Sequence, residues 1–339
     1  MIKFFRRIRY NLMETGKTSK YFKYAIGEII LVVIGILIAL QINNWNEDRK
    51  AANYTKLLFN KTLQEIKFNI EKANKVVNYY RGKDSLYNKV INKKATRADY
   101  IESSNYLFLI MSGEFVLLSD DTAQKLINSE EQMTHEQDSL LSNIKQLYSA
   151  LKAEVDLGDD MLPEHIFGIS AKYKEEHTWY ADLFNFGTRS DELLNYFLND
   201  PEYFNDATYY YIAFLGVHLK SIKDFREDAK KRYIELSDYL EVPIDTSIVK
   251  DLTYYKHYLG TYEGVNTTLH IKQEANNLIY TRVRDRDSVK LESFTLYLDT
   301  KTYFTSPSRF GKLIYNKNKE VSEILFTSGS GVTTYKKIK

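Results

Sequence analysis

Residues 25–42 read AIGEIILVVIGILIALQI. Only Glu28 and Gln41 are neither apolar nor glycine. A helix rises about 1.5 Å per residue, so this stretch spans about 27 Å, close to the hydrocarbon thickness of a bilayer. Because it is apolar on every side rather than along one stripe, it is not typical of a core helix in a soluble domain. We predict a transmembrane helix over residues 25–42.

The residues before the helix distinguish an uncleaved span from a secretory signal peptide. Residues 1–24 carry seven lysines and arginines against one acid, Glu14. This leader is long for a signal peptide, and Leu37 would occupy the −3 position of a cleavage after Ala39. The positive-inside rule leaves a basic flank in the cytoplasm. We therefore predict a basic cytoplasmic leader, an inner (cytoplasmic) membrane location and a periplasmic C-terminal part. The leader is expected to lie on the anionic inner leaflet, and a cytoplasmic partner is the alternative.

Five residues in or beside the span are candidates for a specific role. Gly27, Gly35 and Ala39 share one helix face, which would let a second helix approach closely for self-association or for binding a membrane protein partner. Glu28 is an ionisable residue inside the span, expected either to reach back to the headgroups or to pair with a partner helix or proton path. Trp45 is expected to anchor the outer interface with the lipid bilayer.

The same region carries a resemblance to a known family. The stretch 27–47, GEIILVVIGILIALQINNWNE, follows the leader MIKFFRRIRY and resembles an uncharacterised family of single-pass membrane proteins common in Bacteroidota. The resemblance is specific over roughly residues 1–50. It implies location and topology, and it implies no activity.

Residues 50–240 have the periodicity of long amphipathic helices. The first stripe consists of Phe59, Leu63, Ile66, Ile70, Ala73, Val77 and Tyr80. No proline or glycine lies between Gly35 and Gly82, so this helix is expected to continue from the membrane. Apolar stripes must pack, so we predict an antiparallel helical bundle, with a dimeric stalk as the alternative for the first stripe.

Two further long helices are expected within this bundle. One is predicted from about Ser119 to the Gly-Asp-Asp at 158–160, with Asp120-Asp121 and Asp159-Asp160 as capping pairs at helix ends. The other is predicted over residues 202–240, after Pro201. Its predicted apolar stripe is Phe204, Thr208, Tyr211, Leu215, His218, Ile222, Phe225, Ala229, Tyr233, Leu236 and Leu240.

At about residue 250 the periodicity changes from helical to alternating. Leu269 and Ile271 alternate with polar residues, as do Phe294, Leu296 and Leu298. Eight short strands are predicted over 257–263, 267–273, 277–284, 289–298, 301–305, 311–316, 321–327 and 332–338. Consecutive short strands of this kind predict a small up-and-down barrel over 254–338, or a curved sheet. The predicted fold class is therefore α+β and multidomain, and a protease is expected to cut the connector at about 241–254.

The opening of this region, Tyr258-Leu259-Gly260-Thr261-Tyr262 followed by TTLHI, resembles the lipocalin-like domain appended to many bacterial serine hydrolases. The closing pattern Phe326…Gly331…Lys336 fits the same resemblance. The catalytic serine of those hydrolases lies in another domain, which is missing here. The resemblance therefore implies a small barrel and no hydrolase activity.

The sequence contains no recognisable catalytic or metal motif. Cysteine is absent, which excludes disulfides and thiolate chemistry, and a net charge of +2 does not favour nucleic acid binding. His165 and His177 have glutamates nearby, but polar residues on a solvent-facing helix explain this grouping better than a metal site, and His218 is expected to be a core residue. Arg282, Arg284 and Arg286 are expected in a solvated charge run. We predict an exported binding protein with no catalytic, cofactor or metal site; the alternatives are a membrane-tethered enzyme and a scaffold subunit of a membrane complex.

Overall fold

The computed structural model describes residues 6–7, 10, 18–185, 189–249, 256–274, 277–307, 309–328 and 331–338. They form two compact units, Met1–Leu58 and Phe59–Lys339. Most of the predicted leader 1–24 and the predicted barrel start at 254 lie outside the described residues.

Helix α1 (Thr18–Ile91) is 74 residues long. It is the one helix in the described ranges that is long and apolar enough to cross a membrane, and none of its most apolar 18-residue window is buried. By length and composition it fits a membrane anchor or a signal sequence. The expected uninterrupted helix is confirmed, since α1 passes through Gly82 without a break.

The first predicted stripe is confirmed as part of the core of the second unit. Each of its seven side chains, from Phe59 to Tyr80, is at most 1% exposed. Because this stripe is buried within the chain itself, it is not available to form a dimeric stalk.

The other helices follow one another closely. They are α2 (Arg97–Glu102), α3 (Ser104–Leu107), α4 (Asp121–Ile127), α5 (His135–Gln146), α6 (Lys152–Glu176), α7 (Asp191–Asn199), α8 (Pro201–Tyr210) and α9 (Leu219–Tyr239). Two π-helical segments, Leu147–Leu151 and Tyr211–His218, and a 3₁₀ turn, Thr178–Leu183, connect some of them.

The second predicted helix starts near Ser119 as expected, at Asp121, but it is wrong in its continuity and in its end. The helix stops at Ile127, and a new helix starts where Thr134 and Gln137 form a reciprocal capping box. The Gly-Asp-Asp at 158–160 lies inside α6 rather than at its end, because Gly158 and Asp159 pack into the core beside His218. Apolar residues before and after this tripeptide, such as Val155 and Leu162, are also buried, so α6 continues past it and through Pro163.

The third long helix starts at Pro201 as predicted, but the buried face of its first half is displaced by one residue. The predicted residues are Phe204, Thr208, Tyr211 and Leu215, and of these only Leu215 is buried. The other buried residues of this half are Tyr203, Ala207, Tyr210 and Phe214. A π-helical turn accommodates one extra residue and so rotates the apolar face. From His218 to Leu240 the predicted stripe is buried as expected.

The C-terminal region is a closed antiparallel barrel in which each strand pairs with the next. Its strands are β1 (Gly260–Glu263), β2 (Thr267–Glu274), β3 (Asn277–Arg284), β4 (Lys290–Leu298), β5 (Tyr303–Ser306), β6 (Arg309–Tyr315), β7 (Val321–Ser328) and β8 (Gly331–Lys337). The barrel closes where Tyr262 pairs with Lys337 and Glu263 with Lys336. The predicted strands and the predicted α+β architecture are confirmed, and closure excludes the curved open sheet.

The barrel interior is filled by the protein's own side chains. Phe304 and Phe326 meet at a ring-centroid distance of 5.2 Å, and Tyr280 lies 5.3 Å from Phe326. At Gly311, an added Cβ would lie 2.0 Å from the Phe304 ring, so glycine is required there for the ring to fit. An eight-stranded barrel is just wide enough for side chains to fill. The barrel is therefore a packed core of aromatic and aliphatic residues.

Candidate functional site

The residues predicted to matter in the span all lie on α1, and most of their surfaces are exposed. An added Cβ at Gly27 or Gly35 would meet no atom within 4 Å, so this face is open to a close neighbour. Trp45 is exposed, with the Arg49 guanidinium 5.4 Å from its ring. Glu28 is partly buried. The roles predicted for these residues and for Ala39 remain predictions.

The segment between α3 and α4 has no regular structure, yet buried side chains hold it tightly. Asp159 accepts hydrogen bonds from the backbone N–H groups of Val116, at 3.2 Å, and of Leu117, at 2.9 Å. The side-chain amide of Asn69 bonds both backbone groups of Ser119, at 2.6 and 3.0 Å. These contacts give segment 112–120, called here the clasped segment, a fixed conformation.

Glu65 of α1 fixes the end of the clasped segment and the start of α4. Its carboxylate accepts from the Ser119 hydroxyl at 3.1 Å and from the backbone N–H groups of Thr122 and Ala123 at 3.0 and 2.9 Å. A carboxylate here satisfies the free N–H groups of the first helical turn and suits the helix dipole. The predicted capping role of Asp120 is therefore performed by a residue distant in sequence.

The clasped segment presents apolar side chains to solvent. Leu117 has a left-handed backbone conformation with φ of 50°, unfavourable for a branched residue, and its side chain is largely exposed. A groove of about 310 Å³ lies here, lined by Lys72, Lys75 and residues 114–117. Lys72 donates to the Leu117 carbonyl at 2.5 Å. Backbone strain held in place by buried contacts is a feature of functional surfaces.

Asp159 also faces His218, the histidine predicted to lie in the core. The His218 Nε2 is 3.2 Å from the Asp159 Oδ1, and both side chains are almost fully buried. Gly158 leaves room for this ring, because an added Cβ would lie 2.1 Å from His218. His218 is thus confirmed as a core residue, whereas the prediction that Asp159 caps a helix end is wrong.

The second unit also contains a group of buried and partly buried charges where the barrel meets α1 and α9. This junction cluster consists of Arg81, Asp84, Lys223, Arg226, Glu227, Lys230 and Asp299. Asp299, just after β4, lies 2.8 Å from Arg226 and 3.2 Å from Arg81. Arg226 also donates to the Thr305 hydroxyl of β5 at 2.9 Å. Charged contacts therefore join the barrel to both helices.

Burial controls the protonation of the junction cluster. Lys223 is 2% exposed, and burial, with a smaller contribution from the Arg226 cation, lowers its pKa to about 7. Its ammonium donates to the Ser306 carbonyl at 3.2 Å and lies 4.3 Å from the Phe310 ring centroid. Burial raises the pKa of Asp84 to about 6, and the nearby Lys223 opposes this rise.

Glu227 behaves in the opposite way, and the difference follows from its neighbours. Burial alone would raise the pKa of Glu227, but Lys230 and Arg226 outweigh this effect and hold it below its usual value. Lys230 lies 2.9 Å from the Glu227 carboxylate, and Arg226 lies 2.7 Å from it. Glu227 therefore carries a negative charge that compensates the buried cations.

A lysine with a pKa near 7 is partly neutral at physiological pH, which is the state required of a nucleophile or general base. Here, however, the Lys223 ammonium is enclosed by Ser306 and Phe310 of the barrel. The contacts of the junction cluster connect α1 and α9 to the barrel. The cluster therefore holds these elements together.

The two histidines considered for a metal site, His165 and His177, each contact an aromatic ring. His165 stacks on Tyr209 at 5.5 Å, and His177 on Trp179 at 4.5 Å, so the two histidines belong to separate aromatic contacts. No group of three or more histidine, aspartate or glutamate side chains in the described part of the chain is placed to hold a metal ion.

The predicted solvated run at 282–286 is correct only at its end. Arg286 is mostly exposed, but Arg282 lies within β3 and is 3.0 Å from Glu292, which also lies 3.3 Å from Arg309. The strand has the predicted bounds, 277–284, and within it Arg282 pairs across the sheet with Glu292 instead of lying in a solvated run.

The N-terminal part of the chain is similar in sequence to one protein family. The sequence pattern of a family of unknown function (DUF6090) matches residues 28–151. No curated protein matches the chain, and no solved structure matches it. The matched region includes most of α1, the clasped segment and α5, whereas Asp159, the junction cluster residues of α9 and the barrel lie beyond it.

Sequence reasoning missed the residues that organise both sites. Glu65, Asn69 and Arg226 are polar residues next to apolar stripes, and in a sequence they look like solvated neighbours. Lys223 and Arg226 gave a weak signal of buried ion pairs. They lie beside the apolar stripe of α9, and a charge in that position must either find a partner or face solvent.

Proposed function

We propose that this protein is a single-pass inner-membrane protein that binds a partner through its exported part and performs no catalysis. Residues 25–42 span the membrane, residues 1–24 remain in the cytoplasm, and the second unit lies in the periplasm. The observation that carries this proposal is the fully unburied apolar window of α1, since water-exposed apolar surface of that extent requires another apolar environment.

The partner is proposed to bind on the surface of the helical region rather than inside the barrel. The barrel interior is occupied by Phe304, Phe326 and their neighbours, so a lipocalin-like ligand cavity has no support. The clasped segment, in contrast, holds Leu117 outward beside a groove. A rigid loop that presents apolar groups loses little entropy on binding.

A scaffold role through the span is the second candidate. The open face at Gly27 and Gly35 favours it, because small residues allow close packing of membrane helices. In that case the partner would be a transmembrane helix, and the clasped segment would not be needed for binding.

Reporter fusions test the topology. A fusion after residue 45 should be active only as an exported-compartment reporter, and a fusion before residue 20 only as a cytoplasmic one. Cytoplasmic activity of a full-length C-terminal fusion would overturn the proposed location.

Co-purification tests the mode of binding. Wild-type full-length protein, solubilised in detergent, should bring down a stoichiometric partner that a Leu117→Asp variant loses. A Gly35→Leu variant is the matched change in the span. If that variant loses the partner and Leu117→Asp keeps it, the scaffold role is correct instead.

A further inference from the structure

Five polar residues at one end of the barrel face its interior. Side chains alternate between the two faces of a strand, so Arg282 shares the interior face of β3 with the buried Tyr280. Glu292 of β4 lies directly opposite Arg282 in the register. Ser306, the last residue of β5, lies opposite Arg309, the first residue of β6. Because β3 and β5 end where β4 and β6 begin, these residues meet at one end of the barrel, and we call them the mouth layer.

Distances within the mouth layer show that it is one group. The Glu292 Oε1 lies 3.0 Å from the Arg282 Nε and 3.3 Å from the Arg309 Nη2. The Arg309 guanidinium lies 6.0 Å from the Phe326 ring centroid, and the Tyr280 ring centroid lies 5.3 Å from the same centroid. Burial raises the pKa of Tyr280, the Glu292 carboxylate adds to this rise, and the two arginines oppose it, so its hydroxyl faces all three charges.

Four buried polar atoms of the mouth layer have no hydrogen-bond partner in the described part of the chain. They are the Tyr280 Oη, Arg282 Nε, Glu292 Oε1 and Ser306 Oγ. Ser306 is close enough to lower the pKa of Tyr280, yet neither hydroxyl has a well-aligned partner. The contact between Arg282 and Glu292 is likewise close without being aligned. Buried polar groups in proteins are almost always paired, so this concentration of unpaired groups indicates that another molecule pairs with them.

The charge of the mouth layer is unbalanced, and solvent reaches it. Arg282 and Arg309 share the one carboxylate of Glu292, which leaves one positive charge. The next arginine toward the rim, Arg284, is already paired with Asp287 at 2.9 Å. The Arg282 side chain is 25% exposed and the other two side chains are each 15% exposed, so a small molecule can reach these groups from outside.

The donors and the charge together select the class of ligand. Guanidinium and hydroxyl groups both donate hydrogen bonds, and a guanidinium matches the two oxygens of a carboxylate. One carboxylate balances the single excess charge, whereas a phosphate dianion leaves an unpaired negative charge in a mostly buried place, which is costly. Phe304 and Phe326 fill the barrel below, so only the carboxylate end of a ligand fits at the mouth.

We propose that the mouth layer binds the carboxylate group of a small organic acid. Arg282 and Arg309 pair with its oxygens, and Glu292 keeps the two guanidinium groups together. The Tyr280 and Ser306 hydroxyls donate to the same oxygens, and the rest of the ligand projects out of the barrel. This site is independent of the clasped segment and of the membrane span.

Fluorine NMR of a small probe tests the site in the full-length protein, solubilised in a non-ionic detergent. The probe is trifluoroacetate, and trifluoroacetamide is its uncharged counterpart. The trifluoroacetate signal should broaden saturably, with a Kd on the order of 1 mM or below, and acetate should reverse the broadening. The amide signal should not change. Absence of saturable broadening would mean that water alone satisfies the layer, and displacement by inorganic phosphate more effective than by acetate would overturn the carboxylate assignment.

A matched pair of arginine variants separates the mouth layer from a general attraction to positive charge. Arg309→Gln and Arg286→Gln remove the same charge, but the Arg286 side chain is 74% exposed and lies outside the layer. Arg309→Gln should weaken probe binding at least about tenfold, because a hydrogen-bonded charge partner is lost. Arg286→Gln should leave it unchanged. Equal effects of the two variants would overturn the site.

Two further variants decide the question even if Arg309→Gln does not fold. Tyr280→Phe removes a hydroxyl that has no protein partner, so the thermal stability should not fall, while probe binding should weaken at least about tenfold. Glu292→Gln adds one net positive charge to the layer and should shift its preference from trifluoroacetate toward inorganic phosphate at least about tenfold. Wild-type binding by Tyr280→Phe, or an unchanged preference in Glu292→Gln, would contradict the proposed site.

Discussion

Asp159 and Asp160 are neighbours in the sequence, yet their surroundings differ completely. The Asp159 carboxylate is buried, accepts two backbone N–H groups of the clasped segment and faces His218, whereas Asp160 is exposed. Removing a buried acceptor leaves its donors unsatisfied, and removing an exposed one does not.

Asp159→Ala should therefore destabilise the protein by about 2–4 kcal/mol, because the Val116 and Leu117 N–H groups and His218 lose their buried partner. Asp160→Ala, the matched control, should change stability by no more than about 0.5 kcal/mol. Denaturant unfolding of the two variants measures both. Equal effects would mean that the clasped segment is not held by Asp159.

Asp84 gives a second prediction at the residue scale, because burial raises its pKa to about 6 from 3.8. Between these values the folded protein keeps a proton that the unfolded chain has lost, so stability falls as the pH rises from about 4 to 6. Lys223 is the charged neighbour that opposes the shift.

In an Asp84→Asn variant this loss disappears. The variant should match the wild type near pH 4 and become more stable than it above pH 6, by up to roughly 3 kcal/mol. Chemical unfolding at a series of pH values measures the difference. A constant difference across the whole range would show that Asp84 titrates normally.

Helix α6 shows how one element combines a buried and an open face. An added Cβ at Gly158 would lie 2.1 Å from the His218 ring, whereas at Gly168 it would meet nothing within 4 Å. The same substitution in one helix should therefore have opposite effects.

Gly158→Ala should destabilise the protein by about 1–3 kcal/mol through overpacking against His218. Gly168→Ala should stabilise it by about 0.5–1 kcal/mol, because alanine loses less conformational freedom in a helix. Thermal unfolding followed by circular dichroism compares the two variants. Stabilisation by Gly158→Ala would contradict the packing of His218 against α6.

For the whole molecule, the junction cluster determines whether the barrel is independent. The connector between α9 and β1, at about 241–254, is the predicted site of proteolytic cleavage. Asp299, however, lies between Arg81 and Arg226 in a buried environment, and Thr305 and Ser306 of β5 accept further hydrogen bonds. A cut at about 241–254 should therefore leave the two fragments associated.

After such cleavage, the wild-type fragments should elute together in size-exclusion chromatography. An Asp299→Ala variant should release the barrel fragment, because the partly buried Arg81 and the buried Arg226 lose the carboxylate that they share, at a cost of about 3–5 kcal/mol. Asp287→Ala, which removes an ion pair with Arg284 outside the cluster, is the control and should leave the fragments together. If the wild-type barrel fragment eluted alone, the junction cluster would not hold it to the helices.

The sequence by itself determined the features that depend on local periodicity. The apolar run at 25–42, the 59–80 stripe and the alternation of β1–β8 are each encoded in consecutive residues, because burial on one face demands a fixed spacing. The tertiary structure alone decided where polar residues beside those stripes find partners. Asp159 binds a distant backbone, Arg226 binds the barrel, and the π-helical turn at 211–218 rotates a face by one residue. These arrangements join residues far apart in the chain, and a buried charge or hydrogen bond acquires its partner only when the fold brings the two together.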